Sequence, residues 1–125
     1  MKKKELIELI KSLNLNPNDF TVLSSGALVL RGILESANDL DIAVTNEGLN
    51  ELNQKFDLKE KENSWYKVNE KVECVLDDMD GIKEKIGDYY LQEIHNYLEY
   101  LENSSREKDK KRIPLVKKYI NQKKI

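Results

Sequence analysis

The segment Asp39-Leu40-Asp41-Ile42-Ala43-Val44 decides how this chain is read. Its period-two alternation predicts a strand, in which residues i and i+2 share a face. Leu40, Ile42 and Val44 then form an apolar face, and Asp39 and Asp41 stand side by side on the other. Asp is a poor strand former. Two carboxylates this close repel unless a cation or protons relieve them. The pair therefore has two readings: an exposed strand edge, or a site for a hard cation. Mg²⁺ suits the second, because it takes one or two carboxylates and completes its shell with water and substrate phosphates.

A third carboxylate, Glu73, lies within the apolar run Val72-Glu73-Cys74-Val75. An unpaired charge buried there would be costly. If the two strands are neighbours, Glu73 points into the same cluster as the aspartates. Otherwise it marks the solvent face of an alternating strand, with Val72 and Cys74 inside. Upstream, Ser24-Ser25-Gly26 joins a β-prone run, Phe20 to Leu23, to a short helical stretch from Ala27 to Leu34. Small residues at such a turn let a phosphate approach backbone amides.

The remaining chain supplies the frame. Leu6, Ile7, Ile10 and Leu13 predict a helix over 4–13. Pro17 falls in a break before Phe20. Leu49, Leu52 and Phe56 predict a helix over 46–56. Strands are expected at 65–68 and 72–76, with Asn69-Glu70 as their turn. Ile82, Ile86, Tyr90, Ile94, Tyr97, Leu98 and Leu101 fall at helical spacing and predict an amphipathic helix over 82–101. A last helix is expected to start near Pro114, since proline suits a first turn. The expected class is α/β (or α+β): a small mixed sheet flanked by helices. The expected organisation is one domain over 1–125, with its core at about 20–80 and C-terminal helices at about 82–125.

Composition bounds the function. At 125 residues the chain is the size of one domain. One cysteine, Cys74, rules out an internal disulfide framework and a cysteine-rich zinc site; it reads as a buried, inert thiol. Apolar runs fall far short of the ~20 residues that span a bilayer. Met1-Lys2-Lys3-Lys4 leads into an amphipathic stretch, so no secretory signal is expected and the expected location is cytoplasmic. The net charge of -2 conceals an asymmetry. Residues 106–125 carry nine basic and two acidic groups, against 12 basic and 21 acidic in 1–105. A basic end on an acidic body is either a polyanion-facing segment or a solvated terminal helix.

Ser25-Gly26-Ala27-Leu28, the Asp39/Asp41 strand and Val72-Glu73-Cys74 together resemble the minimal nucleotidyltransferase core of the DNA polymerase β-like superfamily. There a strand leads to a small-residue turn and a short helix, then to a strand with Asp-x-Asp, and a later strand gives a third acid. Arg106-Glu107-Lys108-Asp109 followed by Ile113 is similar to the Arg-x-Lys-Asp segment that opens the last helix of many small bacterial members. The chain departs from that pattern at Ser24-Ser25, where glycine usually heads the turn, and at Arg112, where small members often carry an acid.

The resemblance implies a Mg²⁺-dependent transfer of a nucleoside monophosphate from a nucleoside triphosphate to a hydroxyl acceptor. It implies metal-binding and catalytic roles for Asp39, Asp41 and Glu73. Ser24, Ser25 and Gly26 would cradle phosphates, and Arg106, Lys108 and Lys110 would neutralise pyrophosphate. The acceptor would be a small molecule, an RNA end or a protein side chain, and a second copy or a helical partner protein would complete the function. The rival is an inactive nucleotidyltransferase-like binding module, such as a toxin–antitoxin component. His95, the only histidine, reads as structural, as do the tyrosines at 89, 90, 97 and 100. Trp65 reads as a core or rim residue and Arg31 as exposed.

Overall fold

The computed structural model describes residues 1–123. Helix α1 (Lys3–Ser12) buries Leu6 and Ile10 one turn apart, with Leu13 one turn further on. A 3₁₀ turn at Pro17–Asp19, capped by the Asn16 side chain, redirects the chain into β1 (Phe20–Val22). Next come α2 (Ser24–Leu30), β2 (Leu40–Val44) and α3 (Asn46–Lys55). Thr45 caps α3 by accepting from the Gly48 amide at 3.1 Å. Three strands follow, β3 (Lys59–Glu60), β4 (Trp65–Lys67) and β5 (Val72–Leu76). The chain ends in β6 (Lys83–Ile86), β7 (Tyr89–Gln92), α4 (Ile94–Asn103) and α5 (Glu107–Lys123). The class is mixed α/β, as expected.

The sheet order is β3-β4-β5-β2-β1-β7-β6. β2 runs antiparallel to β1 and parallel to β5, and β7 runs parallel to β1. One face of β2 packs on the main core: Leu40, Ile42 and Val44 are fully buried, in one cluster with Leu6, Val29, Leu52 and Cys74. Burying each such side chain is worth roughly 1.5–3 kcal/mol. A one-residue slip of β2 would expose all three, so core packing fixes Asp41 on the opposite face.

Asn69 forms the expected turn, its Oδ1 accepting from the amides of Lys71 and Val72 at 2.8 and 3.0 Å. Residues 82–101 differ from the single helix that periodicity predicts. Residues 83–92 form the β6–β7 hairpin, and the helix starts at Ile94. Gly87-Asp88 is a two-residue hairpin loop between the paired Ile86 and Tyr89, with Gly87 at φ 62°. A positive φ at the first loop position is what glycine supplies. β7 covers β1, which would otherwise be an open edge. This long-range pairing outweighs the coincidental four-residue spacing of Ile82, Ile86 and Tyr90. The C-terminal helical part therefore spans 94–123 rather than starting near 82.

The last helix also begins earlier than Pro114, at Glu107, and carries that proline internally. Its packing accounts for this: Val116 and Ile113 join Tyr97, Leu101 and Leu28 in a second apolar cluster. Helix α2 starts at Ser24 and ends at Leu30, short of the expected Leu34. Arg31 is not exposed; its side chain is fully buried. Its guanidinium pairs with Glu84 of β6 and donates to the Gln92 carbonyl of β7 at 2.8 Å. Lys124, counted in the basic end, lies outside the described residues. No helix among the described residues is long and apolar enough to cross a membrane.

Candidate functional site

On the face of β2 opposite the main core, the strands and the C-terminal helices enclose an open cavity of about 920 Å³. Its strand wall is set by backbone register. Asp41 and Glu73 are direct partners across the parallel β2–β5 ladder, and both line the cavity. Alternation does the sorting: Val72 and Cys74 are fully buried in the core, so Glu73 faces the other way. Burial pushes the Cys74 thiol up to about 11, which agrees with an inert cysteine.

Asp39 is placed differently from the sequence expectation. It precedes β2, is exposed, and does not line the cavity. Its charge is still felt at Asp41. The Asp41 carboxyl is held above its ordinary value by burial first, then by Glu73 and Asp39. Lys108 and Lys61 oppose that rise. Lys61 Nζ lies 2.7 Å from Glu73 Oε2. Among the described residues no group of three or more His, Cys, Asp or Glu is close enough to hold a metal ion. The Asp41–Glu73 pair is a two-carboxylate oxygen set, which suffices for Mg²⁺ when water and phosphate complete the shell.

The helical wall is built around a buried carboxylate. Asp109 is 1% exposed. It accepts from Ser104 Oγ at 2.7 Å and pairs with Arg106 Nε at 3.2 Å. The Arg106 amide in turn donates to Ser104 Oγ at 3.2 Å. This small network fixes the start of α5 and turns Arg106 and Lys108 onto the cavity. One turn on, Arg112 Nη1 donates to the Tyr97 hydroxyl at 3.0 Å. Tyr97 stacks with the half-exposed Tyr100, centroids 6.0 Å apart, and both rings line the cavity. Lys110 does not: it is exposed and within 3.8 Å of Glu107.

The first two residues of α2, Ser24 and Ser25, line the cavity. Ser24 has φ 50°, a left-handed conformation that glycine adopts at no steric cost. Its amide donates to Gln92 Oε1 at 3.2 Å, and Gln92 Nε2 donates to Asn96 Oδ1 at 2.9 Å. Gly26, expected in the phosphate cradle, is buried instead. A Cβ there would sit 3.1 Å from Val22 Cγ1, so its smallness serves helix–sheet packing.

Of the nine residues singled out from sequence, the cavity gathers Asp41, Glu73, Ser24, Ser25, Arg106 and Lys108 and leaves out Asp39, Gly26 and Lys110. It adds Lys61, Trp65, Gln92, Asp109 and Arg112. Asp109 stood in the quoted Arg-x-Lys-Asp segment and could have been found from it. Lys61 and Gln92 carry no local signal, since strand pairing brings them in. Comparison with known protein-family models, curated proteins and solved structures gives no match to this chain.

Proposed function

We propose that the chain is a Mg²⁺-dependent nucleotidyltransferase that moves a nucleoside monophosphate from a nucleoside triphosphate to a hydroxyl acceptor. One observation carries the reading: Asp41 and Glu73 are register partners on one wall of a cavity whose facing wall bears Arg106 and Lys108. Carboxylates that need a cation thus stand across from cations that need an anion. A metal–triphosphate satisfies both.

In this reading Asp41 and Glu73 hold the cation, and Glu73 is also within the cavity as a candidate base for the acceptor hydroxyl. Arg106 and Lys108 bind the departing pyrophosphate, and the hydroxyls of Ser24 and Ser25 contact phosphate oxygens. Bound Mg²⁺ would supply charge neutralisation of the triphosphate and of the developing negative charge. Asp39 shapes the field at Asp41 from outside the cavity. A second copy or a helical partner protein would supply the acceptor, on the expectation drawn from the sequence.

A second reading, an inactive nucleotide-binding module such as a toxin–antitoxin component, draws on two observations. Gln92 already takes the Ser24 amide, and Lys61 already takes a Glu73 oxygen. Thermal melts with ATP, GTP, CTP and UTP, each with and without Mg²⁺, separate the two. A ligand that binds the native state raises Tm by mass action. The enzyme reading predicts a Mg²⁺-dependent rise that disappears in Asp41→Asn. A rise that survives Asp41→Asn supports the inert module, and no rise with any nucleotide contradicts both.

A further inference from the structure

Lys61 already does at Glu73 what a metal would do there. Its Nζ is 2.7 Å from Glu73 Oε2, and its charge reaches Asp41, whose carboxyl it helps to pull down. Without a counter-ion, Asp41 and Glu73 would face each other uncompensated across one ladder position. Lys61 directly follows β3, the strand at one edge of the sheet. β3 is two exposed residues long and pairs with β4 alone. The chain then returns through Asn63 and Ser64, both at positive φ, to Trp65, which also lines the cavity. The Lys61 amide donates to the Trp65 carbonyl at 2.7 Å, so this turn at the sheet edge holds the Lys61 ammonium over Glu73.

We infer that Lys61 is a built-in counter-ion that occupies the cation position on Glu73 and must be displaced when a divalent cation binds. This rests on the metal-binding reading of Asp41 and Glu73. The consequence is a penalty on cation affinity. A divalent ion entering the Asp41–Glu73 pair meets a unit positive charge held on the same carboxylate, and it must also break a charge-assisted hydrogen bond. Removal of the ammonium removes both costs. By Coulomb interaction over a few ångströms in a water-accessible site, that is on the order of a fivefold gain or more in affinity. Lys61 acts through Glu73 and is a positioning residue, since with no metal present it also keeps the Glu73 carboxylate turned to the cavity.

The test is direct titration with Mn²⁺, with no nucleotide and no turnover, read by the electron-spin resonance of free Mn²⁺. The proteins are wild type, Lys61→Gln, Lys61→Arg, Glu73→Gln and Asp41→Asn. The expected result is tighter binding by about fivefold or more in Lys61→Gln, wild-type affinity in Lys61→Arg, and loss in Glu73→Gln and Asp41→Asn. Binding in wild type that is unchanged or weaker in Lys61→Gln, yet lost in Asp41→Asn, overturns the counter-ion inference and leaves the metal site standing. No binding by wild type or Lys61→Gln, or binding indifferent to Asp41→Asn, overturns the metal site and the inference together. Lys61 is close to half exposed, so its substitution should leave folding intact, which a thermal melt of each variant verifies.

Discussion

The strand wall and the helical wall of the cavity carry opposite charges and are held by different forces. On the strand wall, the backbone ladder and the apolar faces of β2 and β5 place Asp41 and Glu73. The carboxylates do not bring about that placement; they repel, and after burial the Glu73 charge is what holds the Asp41 carboxyl above its ordinary value. On the helical wall a charge is the organiser. Buried Asp109 ties Ser104 and Arg106 together and so orients the cationic start of α5. The same residue type is therefore a cost in one wall and a support in the other. A carboxylate that can be removed without loss of fold, but with loss of ligand, belongs to function. One whose removal unfolds the wall belongs to structure.

Substitutions test that contrast. The largest effect on stability is expected for Asp109→Ala. It leaves the Ser104 hydroxyl and Arg106 without their buried acceptor and should cost about 2–4 kcal/mol in urea denaturation. A loss below half of the lower figure would mean that the α4–α5 apolar contacts alone hold this wall.

Asp41→Asn should do the reverse. The folded Asp41 carboxyl titrates above its ordinary value of 3.8. Its contribution to stability is thus fully present below about that pH, and is lost as pH rises through the raised value. At neutral pH the ionised group is destabilising. Asp41→Asn should therefore raise Tm at pH 7, and the advantage should fade as pH falls below the carboxylate range. Over the same substitution, divalent-cation affinity should fall by more than about 100-fold, because changes merely behind metal ligands already cost roughly 10–100-fold. A variant that loses both stability and binding would erase the distinction between the walls.

The smallest effect is expected at Ser24, where β1 leads into α2 beside both walls. Ser24 holds φ 50°, where a side chain is strained by roughly 1–2 kcal/mol. Glycine relieves that strain but loses more freedom on folding, by roughly 0.5–1 kcal/mol. Ser24→Gly should therefore stabilise by about 0.5 kcal/mol, a shift that replicate melts resolve. A destabilisation would show that the Ser24 side chain matters more than its backbone conformation.

The legibility of the molecule divides along the same line. Local alternation and core burial decide β2 and β5, so Asp41 and Glu73 could be read from Leu40, Ile42, Val72 and Cys74 alone. The short helix and the Asn69 turn follow from equally local rules. What local patterns missed depends on distant pairing. Tyr89 to Gln92 form a strand because β1 has an open edge to cover, although the apolar spacing around them imitates a helix. With that strand misread, Gln92 had no visible role. Arg31 reads as exposed for the same reason, since its partners Glu84 and Gln92 lie on the missed hairpin. Pro114 signals a helix start in isolation. The Asp109 network and the packing of Val116 on α4 carry the helix through it. Asp39 shows the limit of strand periodicity: the strand begins at Leu40, and Asp39 before it is exposed and outside the cavity lining.

The Asp41–Glu73 cation site is tested most sharply by a crystal structure of the full chain with Mn²⁺ and a non-hydrolysable nucleoside triphosphate, with the metal located by its anomalous scattering. Mn²⁺ is expected on carboxylate oxygens of both Asp41 and Glu73, with the triphosphate reaching towards Arg106 and Lys108. Mn²⁺ held elsewhere, or a nucleotide bound in the cavity with Asp41 and Glu73 free of metal, would contradict it.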